Sequence, residues 1–347
     1  MAKSSGFLLF SFGSELIPSI HCNPVKFFGR HIDFSLSDKD AVENFISTVL
    51  LGLDLIDKSS HKGVHIVWIL QNLFIARLRW PLLIYEISIS VVMRMEQKIS
   101  SFLRKWLRIH QSTTNICLYS ASSPCPLPLK NLTSILKPCK VSGHLLLRDS
   151  SDTMIDRSTS RLKCGFWDVS EAVIEAESRL EFQKVLGYHQ TFRAGFGSFK
   201  QPVIPPKSSY EYRKLISELV HESDENEYHA KAVQLHMQGY WMQWCSFVKN
   251  YFSLKTLLAM PPALLSFSLE AAYNTLPCPS NLKRWRLTTE SSCFLCNKSV
   301  CTSAHILGAC KVALSQGQFT FRHDTILKEL VLALKDFLFE CKPTNSS

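Results

Sequence analysis

Four side chains toward the C-terminal end of this 347-residue chain have the types and spacing of metal ligands: Cys293-x2-Cys296-x8-His305-x4-Cys310. A two-residue gap lets both thiolates reach one tetrahedral ion from a tight turn. The histidine and the last cysteine, five apart, can close the shell from the following turn or helix start. Zinc suits this donor set, because Zn–S and Zn–N bonds of ~2.3 and ~2.0 Å demand such tight spacing. Four protein ligands fill a structural site and leave no open position for catalysis. Cys301 lies inside the loop and could substitute for one of the four. The alternative is a set of buried free thiols.

The neighbouring residues suggest what a zinc module would touch. Lys283, Arg284, Trp285 and Arg286 precede the cluster, and Gln316–Asp324 follow it with Phe319, Phe321, Arg322 and His323. Bases stack on aromatic rings and guanidinium planes while cations hold phosphates, so this mixture suits single-stranded nucleic acid. A second basic region lies upstream. Between Lys58 and His110 there are nine Lys or Arg and two Glu, hence +7. Arg77, Arg79, Arg104 and Lys105 belong to it, interleaved with Trp80 and Trp106, and the set is best explained by a phosphate backbone. A solvated helix face is the competing explanation for any one of these residues.

Other chemical patterns are weaker. His61-x3-His65 places two imidazoles on one helix face without a third ligand. Gly195-x-Gly197 lacks the third glycine and the preceding strand of a dinucleotide loop, and no Walker lysine motif or G-x-S-x-G is present. The acidic group Glu222, Asp224, Glu225 and Glu227 reads as a solvated face or loop, not as paired catalytic carboxylates. No catalytic residue is assigned.

These motifs must be carried by a folded scaffold. Hydrophobic residues make up 46% of the chain and charged residues 20%, an ordinary globular balance with room for a core and roughly two domains. Lys plus Arg number 39 against 29 Asp plus Glu, a net +10 that favours a polyanionic partner, nucleic acid before membrane. Gly6–Phe12 reads as a short buried strand and not as an export signal. No apolar run is expected to span a bilayer, since Val64–Met93 is broken by Arg77, Arg79 and Glu86. A reducing compartment, nucleus or cytoplasm, follows, where grouped cysteines bind metal.

Apolar periodicity predicts helices after Ser37, as an N-cap, with Val42, Phe45, Ile46, Val49, Leu50 and Leu53 on one face; over Val64–Ala76; and over Val91–Leu107, with Met95, Ile99, Phe102 and Trp106 on one side. Ser122–Leu129 is a Pro-rich break. Short helices follow at Leu132–Leu147. Val169–Leu186 is an amphipathic helix that Ser170 could cap, Gln201–Lys207 is a linker, and Tyr210–Trp244 forms one or two long helices. Ile326–Phe339 is an amphipathic helix expected to pack on the zinc module.

With these residues in place, the chain resembles the C-terminal part of LINE-type (non-LTR) retrotransposon reverse transcriptases. The Cys293/Cys296/His305/Cys310 block is similar to their CCHC finger, with a longer loop than the retroviral knuckle. Asn281-Leu282-x2-Trp285, His305-Ile306-Leu307-Gly308-Ala309-Cys310 and Phe321-Arg322-His323-Asp324 resemble its flanking blocks. Upstream, Val25-Lys26-Phe27-Phe28-Gly29-Arg30 is similar to the primer-grip segment, with Phe28 departing from the usual Leu. Arg79-Trp80-Pro81, Arg104-Lys105-Trp106-Leu107 and Leu127-Pro128-Leu129 resemble thumb and post-thumb blocks. The resemblance covers about residues 20–340, and the zinc block alone is specific by itself.

The resemblance implies a mainly α protein: a palm and primer-grip remnant at 1–36 with short β pieces, a helical thumb-like region at 37–121, a helical connecting region at 122–280, and a zinc-knuckle module with a C-terminal helix at 281–347. It implies RNA or DNA as partner, including element RNA and primer–template, no membrane, and the missing polymerase part of a longer polyprotein. Polymerisation in that family uses Mg2+ held by palm aspartates. This sequence has no Asp-Asp pair, so Mg2+ belongs to the complete polymerase and the chain alone is expected to be inactive. A zinc-stabilised protein-interaction module without nucleic-acid binding is the competing function.

Overall fold

The computed structural model describes residues 25–27, 29–32, 34–61, 63–121, 123–158, 163–186, 188–191, 198–201, 206–244 and 254–340, with the pairs 11–12 and 15–16. It is mainly helical, with short two-stranded antiparallel hairpins. Of the strand expected at Gly6–Phe12, Ser11–Phe12 is described and is extended. Residues 202–205 of the expected linker lie outside the described residues. Two compact units divide between Tyr273 and Asn274.

In the first unit, helix α1 (Lys39–Asp57) buries Phe45, Val49 and Leu53 and leaves Leu50 43% exposed, one stripe of the expected face. Its N-cap residue is Asp38, not Ser37. The Asp38 side chain makes no capping bond and serves distant partners instead. The Asp38 carboxylate pairs with Arg30 at 3.1 Å and accepts the Glu86 N–H at 2.7 Å, while the Ser37 hydroxyl accepts the Lys39 N–H at 3.3 Å. The Arg30–Ile32 strand pairs with Val25–Phe27, and Gly29 makes the turn at φ +81°. A Cβ on Gly29 would sit 3.1 Å from the Trp80 indole nitrogen, so the turn lies against that ring.

Helix α2 runs from Val64 to Ile84, eight residues beyond the expected end, through a π-helical segment at Leu70–Phe74. By length and composition it could cross a membrane, contrary to the sequence expectation. Its Leu70, Ile75, Leu78 and Leu82 are buried in the main core. Helix α3 (Ile89–Leu107) buries Met95, Ile99 and Trp106 as expected. Helix α4 (Thr133–Arg148) is continuous through Pro138 where short helices were expected. Leu136 belongs to the main core, and Val141 and Leu145 belong to a second cluster.

That second cluster joins α4 to α5 (Val169–Leu186) and α6 (Ser209–Gln234) through Val173, Leu180, Ile216 and Leu219. The cap of α5 is Asp168, not Ser170: its carboxylate accepts the N–H groups of Ser170 and Glu171 at 2.7 and 3.2 Å. Residues on both sides of the expected boundary at 121/122 share the main core, from Tyr119 to Leu127 and Leu129.

Buried polar contacts tie these helices together. Glu96 on α3 accepts the Leu132 N–H at 2.7 Å and the Ser100 hydroxyl at 3.2 Å, and burial raises its pKa. Lys140 donates to the Leu83 and Tyr85 carbonyls at the end of α2, at 3.2 and 2.7 Å. Carbonyls at a helix end lack a partner within their own helix; Lys140 supplies a donor from α4 to both, and the Tyr85 carbonyl also accepts the Ile87 N–H at 3.0 Å.

Candidate metal centre

The second unit is built around its cysteines. Helix α7 (Pro279–Arg284) begins on Pro279, whose missing N–H is tolerated in a first turn. The buried Asn281 side chain donates to the Asn274 and Leu276 carbonyls at 2.9 and 2.7 Å and fixes the turn before it. The Ser280 N–H donates to the Cys301 carbonyl at 3.1 Å and fastens this helix to the cysteine loop.

The loop itself is a short ribbon. Cys301 N–H donates to Ser291 O at 2.7 Å, and Cys293 N–H donates to Lys298 O at 2.9 Å. Asn297 closes the turn at φ +55°, a left-handed conformation that asparagine tolerates better than most residues. The turn aims the backbone N–H groups of Cys296 and Leu295 at the Cys293 sulfur, which lowers its pKa to about 6. For Cys296, the Lys298 N–H acts to lower the pKa. Burial and the neighbouring Cys293 and Cys310 sulfurs outweigh it, and the value is raised.

His305 opens a π-helical turn, His305–Ala309, and the Thr302 hydroxyl accepts its N–H at 3.2 Å. Cys310 then stands at the N-cap of helix α8 (Lys311–Ser315). One ligand atom from each of Cys293, Cys296, His305 and Cys310 lies within 4.8 Å of the others. Cys293, His305 and Cys310 are buried and Cys296 is half-buried. His305 Nε2 is 3.3 Å from Cys296 Sγ.

These distances fit zinc. Bonds of ~2.3 and ~2.0 Å around a tetrahedral ion set a sulfur–nitrogen edge of roughly 3.5 Å and a sulfur–sulfur edge of roughly 3.8 Å. Three soft sulfurs with one imidazole are a set that zinc takes. The cluster could therefore hold a metal ion. The other ring nitrogen, Nδ1, is buried with no hydrogen-bond partner among the described residues. A zinc-bound imidazole usually donates that N–H to an acceptor, so this site is held by its backbone more than by an outer shell.

Cys301 is 1% exposed and stands outside the four-ligand group. Burial, followed by a hydrogen bond with Cys293, pushes its thiol up to about 12. It lies beside the Cys293 sulfur as a neutral thiol.

The flanking residues divide by role. Phe319 packs against the cysteine cluster, and the Arg322 guanidinium lies 5.2 Å from its ring centre. Phe321 is 83% exposed. Lys283 and Arg286 are exposed, Trp285 is half-buried, and Arg284 donates to the Asn281 side-chain oxygen at 2.8 Å. Phe294, between the first two cysteines, is 85% exposed. The sequence reading missed it, although a residue inside a Cys-x2-Cys turn must point away from the metal. The helix after the cluster is α9 (Thr320–Glu340); among its described side chains the apolar face does not pack on the module as expected, with Ile326, Leu327, Leu330 and Leu334 each about half exposed.

In the first unit, Arg77 and Arg79 are exposed on α2. Arg104 is half-buried, donating from Nε to the Thr113 carbonyl at 2.8 Å and from Nη2 to the Asn115 side chain, so its guanidinium holds the loop after α3. Lys105 pairs with Asp57 at 2.7 Å, and buried Trp106 donates to the same carboxylate at 2.9 Å. Arg94 and Lys98, two of the nine basic residues expected to meet a phosphate backbone, are exposed and share a face of α3 with Lys105.

A cleft of about 920 Å3 in this unit is bordered by α6 and the Pro-rich segment. Its acidic side chains are engaged: Asp224 with Lys137, Glu225 with the Ser120 hydroxyl and Ala121 N–H, and Glu227 with Lys231. Of known protein families, none matches the chain. No curated protein matches it.

Proposed function

We propose that this chain is a nucleic-acid-binding C-terminal part of a LINE-type reverse transcriptase, in which a zinc-held knuckle binds single-stranded RNA or DNA. The observation that carries the reading is the arrangement around the Cys3His cluster. Phe294 projects from the turn between two ligands at 85% exposure, and Phe321 stands 83% exposed beyond the cluster. Exposed Lys283, Arg286 and Arg322 supply the cations.

Such a surface binds without strong sequence preference. Base faces stack on the phenyl rings, and each such contact contributes about 1–3 kcal/mol. The cations displace counterions from the phosphates. Zinc, when bound, contributes the fixed turn that keeps Phe294 out of the core. Arg77, Arg79, Arg94 and Lys98 would add phosphate contacts from the first unit. The chain's task in this reading is to grip template and primer. In such a polymerase Mg2+ chemistry would belong to the palm aspartates.

The test is the affinity of the zinc-loaded chain for a short single-stranded RNA and its DNA counterpart as salt rises. Several phosphate contacts predict a fall of at least about a hundredfold between 50 and 200 mM salt. Phe294→Ala should weaken binding about fivefold or more at any one salt concentration. Absence of binding at 50 mM salt would remove the proposal in favour of a protein-interaction module.

A further inference from the structure

The four donors of the metal centre are not equally sheltered. Cys293, His305 and Cys310 are 5, 4 and 2% exposed. Cys296 is half-buried and stands between the exposed Leu295 and Asn297. Among the four, Cys296 is the residue that solvent reaches.

The two sulfurs of the Cys-x2-Cys turn also differ in what touches them. The Cys293 sulfur receives the backbone N–H groups of Cys296 and Leu295, and the Cys301 thiol lies in hydrogen-bonding contact with it. The Cys296 sulfur receives one backbone N–H, from Lys298. Hydrogen bonds to a ligating thiolate draw charge from it and make it less nucleophilic. Ligation itself keeps a cysteine deprotonated, and the thiolate is the nucleophilic form. Cys296 therefore has both the greater access and the less hydrogen-bonded sulfur of the pair. Two other sulfurs, of Cys293 and Cys310, lie in hydrogen-bonding contact with it. They are held in different ways. Cys293 shares one tight turn with Cys296, closed by the Asn297 N–H on the Cys293 carbonyl at 2.9 Å. Cys310 comes from a separate element, the N-cap of α8. The short loop between Cys293 and Cys296 keeps that pair together at little entropic cost when no ion binds them.

We propose that Cys296 is an oxidative modification site whose substrate is a hydroperoxide, with Cys293 as the resolving cysteine. The proposal rests on zinc ligation by the cluster and not on nucleic-acid binding. The Cys296 thiolate attacks one peroxide oxygen. An S–O bond forms, the O–O bond breaks, and the sulfur gives up two electrons to the departing hydroxide. The Cys293 thiolate then attacks the Cys296 sulfur. An S–S bond forms, the S–O bond breaks, and a second hydroxide leaves. Two protons from the solvent turn both hydroxides into water. His305 and Cys310 alone remain as donors, two short of the four that a structural zinc site uses.

The full zinc-loaded chain, its zinc content measured first, is treated with excess hydrogen peroxide beside an untreated control. Zinc release is followed with a chromophoric chelator, and the cysteines are then mapped by alkylation and mass spectrometry. Release in step with a Cys293–Cys296 disulfide is expected, with Cys301 recovered as a free thiol and the loaded chain restored by dithiothreitol and zinc. A chain that binds no zinc at the outset would overturn the metal centre and this proposal together. A loaded chain that keeps its zinc, or loses it with a disulfide from Cys296 to Cys310 or from Cys293 to Cys301, would overturn this proposal alone. Cys296→His and Cys310→His each leave two cysteines and two histidines, a donor set that zinc also takes. Cys296→His should slow peroxide-driven release at least about tenfold, while Cys310→His should release zinc at close to the parental rate. Equal rates in the two variants would overturn the assignment to Cys296, and where either variant fails to load zinc the map of the parent chain decides.

Discussion

His305 Nε2 lies 3.3 Å from Cys296 Sγ, although they are nine positions apart and His305 opens a different turn. Two unlike donor atoms at that distance, one on a buried and one on a half-buried residue, are what a tetrahedral zinc ion would bridge.

Metal loading provides the first prediction. The chain should bind one Co2+ with the intense visible absorption of tetrahedral thiolate coordination. Cys293→Ser with Cys296→Ser should abolish it, while Cys301→Ser should retain it, because Cys301 stands outside the four-ligand set. Equal loss of cobalt absorption in the Cys301 variant would show that the fifth thiol is a ligand. Chelation should unfold Asn274–Ser347 and leave the first unit folded, since the cores of the two units draw on separate residues.

Glu96 should make stability fall as pH rises. Its pKa is raised in the folded protein, first by burial, above the ordinary value of 4.5. The folded state therefore holds more protons than the unfolded state in the window from about 4.5 up to the folded value. Stability is greatest below that window and is lost across it. Glu96→Gln keeps an acceptor for the Leu132 N–H and removes the charge. Urea unfolding should find the variant increasingly more stable than the parent from pH 5 to pH 7. A gap that does not change with pH would contradict the raised pKa. Glu96→Ala should cost about 1–3 kcal/mol, because the Leu132 N–H loses its partner.

Gly52 stands inside α1, where alanine would ordinarily stabilise a helix by about 1 kcal/mol. A Cβ there would meet the Phe74 ring at 2.1 Å. The ring comes from the π-helical segment of α2. Gly52→Ala should therefore destabilise by about 1–3 kcal/mol despite its better propensity. Gly52→Ala combined with Phe74→Leu should recover part of the loss. An increase in Tm for the single variant would show that the ring moves aside without cost.

Lys140→Met should destabilise by about 1.5–3 kcal/mol, the range for hydrogen bonds from a charged donor. The variant removes the Lys140 donor from the Leu83 and Tyr85 carbonyls, of which Tyr85 keeps the Ile87 N–H. Hydrogen exchange should then speed up at the end of α2 before it does in α1. Uniform acceleration across both helices would place the contact in global stability and not in capping.

Much of this was legible in the sequence because it is local. Apolar spacing located α1, α3 and α5, since one buried stripe per helix leaves its period in the residues. The metal cluster was legible because its four ligands lie within one short segment. Choices between rival polar partners were not. Asp38 and not Ser37 stands at a helix start, and its carboxylate turns to Arg30 and the Glu86 N–H without capping the helix. Arg104 looks like Lys98 in sequence, yet the loop at Thr113–Asn115 takes its guanidinium inward. Phe319 and Phe321, two residues apart, differ because one meets the cysteine cluster and the other meets solvent. The exposure of α9 was hidden for the converse reason: its sequence carries an apolar face but does not say what it packs on.

The most direct test of the central claim is a comparison of single-stranded RNA affinity, by fluorescence anisotropy at 50 mM salt, between the zinc-loaded chain and the same chain after chelation. The zinc-held knuckle predicts a loss of at least about tenfold on metal removal, restored when zinc is returned. Equal affinity with and without metal would contradict it.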